Sequence, residues 1–75
     1  MENVKESLVL RCGDLKRGDV IEGWVSGNRR HRGTVTETMP RLGLFWIVEE
    51  QLGERRLLDM NEVAIVRFTA TAPSR

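Results

Sequence analysis

One cysteine, one histidine, two prolines and no tyrosine stand among the 75 residues of this chain, and each shortage closes off a class of protein. Cys12 alone forms no intramolecular disulfide and no cysteine-based zinc site within one chain, so the usual staples of mini-proteins are missing. A reduced, cytoplasmic setting is the expectation. His31, Cys12 and the scattered carboxylates have no recognisable ligand spacing, so neither a metal nor any other cofactor is expected. Two Trp and two Phe are too few aromatics for a cage around methylated side chains. No apolar run is long enough to cross a bilayer, and the polar, acidic start Met1-Glu2-Asn3-Val4-Lys5-Glu6-Ser7 lacks the basic end and apolar stretch of a signal peptide. Neither secretion nor a membrane partner is expected.

What is present describes a globular protein: 40% of residues are hydrophobic and 31% charged, a balance that favours folding over disorder. A chain this short supports one core and has little margin for irregular structure. The net charge of +1 hides an uneven distribution. Residues 1–27 hold four basic and five acidic side chains, residues 28–42 four and one, and residues 43–75 four and five. The positive charge is local.

Short apolar runs broken by glycine every ten residues or so predict strands in preference to helices. Leu8-Val9-Leu10-Arg11-Cys12 is a first run, followed by a turn between the Gly13-Asp14 and Gly18-Asp19 clusters. Val20-Ile21-Glu22-Gly23-Trp24-Val25 is the second, and Arg32-Gly33-Thr34-Val35-Thr36-Glu37-Thr38 the third, before a break at Met39-Pro40-Arg41-Leu42-Gly43. Leu44-Phe45-Trp46-Ile47-Val48 lacks alternation and predicts a central strand buried on both faces, or a bent one shared by two sheets, with Trp46 in the core. A hairpin of three or four loop residues around Gln51-Leu52-Gly53 then sets Glu49 or Glu50 beside Arg55 or Arg56. Asn61-Glu62 turns the chain into a closing strand from Val63 to Phe68. The expected organisation is a flexible start over residues 1–6, one domain over 7–68 and a flexible tail over 69–75. A helix over residues 52–66 is the competing reading of that stretch.

The succession Leu15-Lys16-Arg17-Gly18-Asp19-Val20-Ile21, Arg32-Gly33-Thr34-Val35, Phe45-Trp46-Ile47-Val48 and Gly53 with a closing apolar strand resembles the SH3-like barrels, a superfamily that includes KOW, Tudor and Sm-like modules. The resemblance covers residues 15–68 and implies an all-β fold, a single small barrel of five to six strands. The Gly18-Asp19 start and the strand from Gly43 to Glu50 also look like those of the type II dihydrofolate reductases, short barrels that work as tetramers around a central pore. Their pore-lining Val-Gln-Ile-Tyr stretch falls near residues 55–58, which here read Arg-Arg-Leu-Leu. The activity is therefore not carried over, and what remains is the expectation that such a small barrel gains stability by forming a homo-oligomer.

The basic stretch Asn28-Arg29-Arg30-His31-Arg32, with Trp24 before it and Arg41 after it, is the main functional candidate. Arginine grips phosphate bidentately and an indole stacks on a base, so Arg29, Arg30, His31, Arg32, Arg41 and Trp24 together form a workable nucleic-acid contact. The bland alternative is a solvated loop, and an acidic protein surface is the alternative partner. Two hairpin registers are open: a five-residue loop puts Trp24 opposite Arg32 on the outer face, and a tight Gly27-Asn28 turn puts it near His31. His31 with Ser26 or Cys12 is the only nucleophilic pairing available, and no carboxylate is expected to orient the imidazole. The sequence thus predicts a non-enzymatic binding module, with nucleic acid as the leading ligand. A protein adaptor or homo-oligomer anchored by Trp24, Leu42 or Leu52 is the alternative, and a small oligomeric enzyme with a shared site ranks behind both.

Overall fold

The computed structural model describes residues 3–71, and in them the apolar runs form six strands. These are β1 (Asn3–Val9), β2 (Val20–Val25), β3 (Asn28–Met39), β4 (Leu44–Glu49), β5 (Arg55–Asp59) and β6 (Ala64–Thr71), with one 3-10 turn at Cys12–Asp14. All pairings are antiparallel, in the order β1-β6-β2-β3-β4-β5. Where a helix competes, over residues 52–66, the chain instead forms β5 and the start of β6, and Leu58 and Ile65 enter the core from strands on either side of a turn at residues 60–62.

The all-β expectation holds, but the SH3-like barrel does not. Closure requires the two edge strands to pair with each other. Here β1 pairs with β6 and β5 with β4, leaving an open sheet whose outer edges stay apart. The likenesses to KOW, Tudor and Sm-like modules and to type II dihydrofolate reductases fall with the barrel. Strand structure begins at Asn3 and continues to Thr71, since Asn3 pairs with Thr71 and Glu6 with Phe68. Residues 1–2 and 72–75 of the two expected flexible ends lie outside the described residues.

A single apolar cluster takes a side chain from every strand: Val9, Ile21, Val35, Phe45, Ile47, Leu58 and Ile65. Cys12 and Leu15, on and after the 3-10 turn, join it. Strand alternation puts these residues on one face. In β4 this splits the apolar run, with Phe45 and Ile47 fully buried and Leu44, Trp46 and Val48 half-buried. Trp46 is therefore not in the core: its ring lies under the Arg55 guanidinium, 4.6 Å from the ring centroid. Arg67 ties β6 to the loop after β1, donating to the Asp14 carbonyl at 2.6 Å.

At Gly33 the β3–β4 pairing leaves no room for a side chain. A Cβ there would lie 2.3 Å from the Val48 carbonyl oxygen, inside any allowed contact.

Candidate interaction surface at the basic hairpin

The turn between β2 and β3 is neither of the two registers the sequence leaves open. Ser26 and Gly27 both take positive φ, 53° and 78°, which makes a two-residue turn of the type that matches strand twist. Val25 then pairs with Asn28 and Trp24 with Arg29. Farther along, Gly23 pairs with His31, so Arg30 is an extra residue without a partner and forms a β-bulge.

The bulge controls the site. In a regular strand, residues three apart face opposite sides. Inserting Arg30 restores the phase, and Arg29 and Arg32 both reach the face that carries Glu22. Arg29 Nη1 donates to Glu22 Oε2 at 3.2 Å and Arg32 Nη1 to the same oxygen at 2.7 Å. Trp24 Nε1 donates to Oε1 at 3.2 Å. Burial of Glu22, 8% exposed, opposes its charge, but the hydrogen bonds from Arg29, Arg32 and Trp24 outweigh that and hold its carboxyl below the ordinary value of 4.5. Arg32 is further engaged by Glu50, Nε to Oε2 at 3.0 Å, and lies 5.0 Å from the centroid of Phe68.

His31 faces the other way, toward the rim of the core. Its Nδ1 stands 3.6 Å from Glu49 Oε2, and that nitrogen is buried with no hydrogen-bond partner among the described residues. Glu49 is thus the carboxylate the sequence did not supply for His31, yet its stronger engagement is with Arg56. The Arg56 hydrogen bond is the main cause of a lowered Glu49 carboxyl, and the same contact raises Arg56. That ion pair realises the expected contact across the β4–β5 hairpin. Cys12 is a buried thiol that donates to the Leu44 carbonyl at 3.3 Å, and burial pushes its pKa up against a smaller opposing effect of the Met39 backbone.

Of the six residues singled out from sequence, Trp24, Arg29 and Arg32 converge on Glu22. Arg30 projects from the bulge and His31 belongs to the opposite face. Arg41 sits in the turn beyond Met39, past the far end of the 12-residue β3. At about 3.3 Å per residue that places it on the order of 30 Å from the hairpin. Among the described residues neither Arg30 nor Arg41 has an ion-pair partner.

What the sequence did not mark is the surface beside the Glu22 cluster. Cross-strand register sets Arg32, Glu22, Val66 and Leu8 in one row and Thr34, Val20, Phe68 and Glu6 in the next. Leu8 is 63% exposed, while Val66, Phe68 and Val20 are half-buried. The only legible sign of this surface is the alternation within β1, where Leu8 and Val9 are adjacent and must face opposite ways. Leu42 and Leu52, the other suggested anchors, are exposed at opposite ends of β4 and share no patch.

Among the described residues, no group of three His, Cys, Asp or Glu side chains has the geometry of a metal site. No helix among them is long and apolar enough to cross a membrane. No protein-family model, curated protein or solved structure matches the chain.

Proposed function

We infer that this protein is a non-enzymatic binding module that docks a protein partner on the outer face of β1, β6 and β2. The observation that carries the reading is the row in which Glu22 fixes Arg29, Arg32 and Trp24 beside Val66 and exposed Leu8. Interfaces concentrate binding energy in Trp and Arg side chains held rigid around an apolar centre, which is the composition found here. Nucleic acid is the weaker reading, because a phosphate would compete with Glu22 and Glu50 for arginines that are already neutralised. The single cysteine supports a cytoplasmic setting for the partner.

Partners captured from cell extract on the wild-type protein, then purified, provide the test. Calorimetry with such a partner should show binding weakened roughly tenfold or more by Leu8→Glu or Trp24→Ala and only mildly dependent on salt. Fluorescently labelled single- and double-stranded oligonucleotides serve as the competing ligands. Tight binding to them that falls steeply with salt and disappears in an Arg29→Ala, Arg32→Ala variant overturns the reading in favour of nucleic acid.

A further inference from the structure

The open sheet leaves β5 with one unpaired edge, and the phase of its hydrogen bonds identifies which residues present it. Met60 N donates to the Gly43 carbonyl at 2.9 Å, and Glu49 N donates to the Glu54 carbonyl at 2.8 Å. These two bonds flank the β4–β5 ladder and fix its alternation: even-numbered residues of β5 turn their backbone groups toward β4. The N–H and C=O groups of Arg55 and Leu57 and the N–H of Asp59 therefore face the free edge, while the Asp59 carbonyl accepts from Glu62 N at 2.9 Å and Val63 N at 3.2 Å in the turn that follows.

That edge is self-complementary. A second copy running antiparallel must place odd-numbered residues opposite odd-numbered ones to form hydrogen bonds. The register that engages all three sets Leu57 against its own copy, Arg55 against the second copy's Asp59, and Asp59 against the second copy's Arg55. The central Leu57 pair exchanges two backbone hydrogen bonds, and each outer pair adds one, from Asp59 N–H to the Arg55 carbonyl of the other copy, together with opposite charges. Sliding the strands by two residues loses one pair and both charge matches. The same parity puts the two-fold axis perpendicular to the sheet, so the outer faces of the two copies lie on the same side.

The edge is short and charged at both ends, but it lacks the proline and the bulge that block such pairing outright. Leu57 at its centre is 46% exposed. We propose that β5 is a homodimerisation edge, through which two copies pair their β5 strands about a two-fold axis and merge two six-stranded sheets into one continuous sheet. Contact confined to one short strand gives a weak, concentration-dependent dimer.

Sedimentation equilibrium from low micromolar to near-millimolar protein reads the association directly, with thermal melts of every variant confirming that it folds. The wild type should pass from monomer to dimer across that range. Leu57→Lys, which sets like charges face to face on the axis, should shift the dissociation constant upward by roughly tenfold or more. Arg55→Asp and Asp59→Arg should each weaken self-association, while an equimolar mixture of the two should associate more tightly than either alone, because every outer pair is then opposite in charge. Leu8→Glu should leave the dimer unchanged, which separates this edge from the partner face of β1, β6 and β2. A wild type that stays monomeric throughout, or a dimer insensitive to Leu57→Lys and without rescue in the mixture, overturns the proposal.

Discussion

Removing the charge of Glu22 while keeping its shape tests how far one carboxylate organises the hairpin. Glu22→Gln leaves Arg29 without an ion-pair partner among the described residues and Arg32 with Glu50 alone, and a loss of about 1–2 kcal/mol in urea unfolding is expected. The pH dependence has a definite sign. A carboxyl held below 4.5 in the fold binds fewer protons folded than unfolded, so the stability it contributes is present above about pH 4.5 and is lost as pH falls through the lowered folded value. Glu22 and Glu49 both act in this direction. The acid limb of a stability profile should therefore flatten in Glu22→Gln and flatten further when Glu49→Gln is added. The cluster of arginines at residues 29–32 was legible in the sequence, but the pairing of Arg29 and Arg32 with Glu22 was not. Glu22 is seven and ten residues away from its two arginines and meets both only because Arg30 bulges.

At the scale of the elements, the hairpin turn and the β3–β4 contact depend on backbone space that other residues lack. Gly27→Ala forces a Cβ onto a residue at φ 78° and should cost about 1 kcal/mol. Gly33→Ala places a Cβ against the Val48 carbonyl oxygen, and the two strands must separate locally, so a larger loss of about 3 kcal/mol is expected. Calorimetric melting of both variants checks the ranking: a smaller loss for Gly33→Ala than for Gly27→Ala contradicts it. The strands themselves were readable, because β2, β4 and β5 lie where apolar alternation and glycine breaks put them, while β3 begins at Asn28, four residues before its expected run. β1 was displaced toward the start of the chain. Its polar residues Asn3, Lys5 and Glu6 gave no local strand signal, and only pairing with β6 makes that segment extended.

For the whole molecule, stability should be concentrated in very few side chains. A domain of this length has on the order of 4–11 kcal/mol in total, and Phe45, fully buried at the centre of β4, accounts for much of it. Phe45→Ala should cost about 3–5 kcal/mol, read as a lowered midpoint of urea unfolding by circular dichroism. Leu42→Ser and Leu52→Ser, at exposed turn and loop positions, should stay within about 0.5 kcal/mol of wild type.

The sequence by itself determined the all-β class, the positions of most strands, the single core and the arginine-rich hairpin, because alternation, glycine placement and charge are local properties. Whether the sheet closes was decided by the tertiary structure. Closure depends on the pairing of strands more than forty residues apart, and β5 ends the sheet beside β4 without meeting β1. The face of Trp24 was decided there too. One extra residue in a strand reverses every side chain beyond it, and nothing local to residues 24–32 announces where the bulge falls.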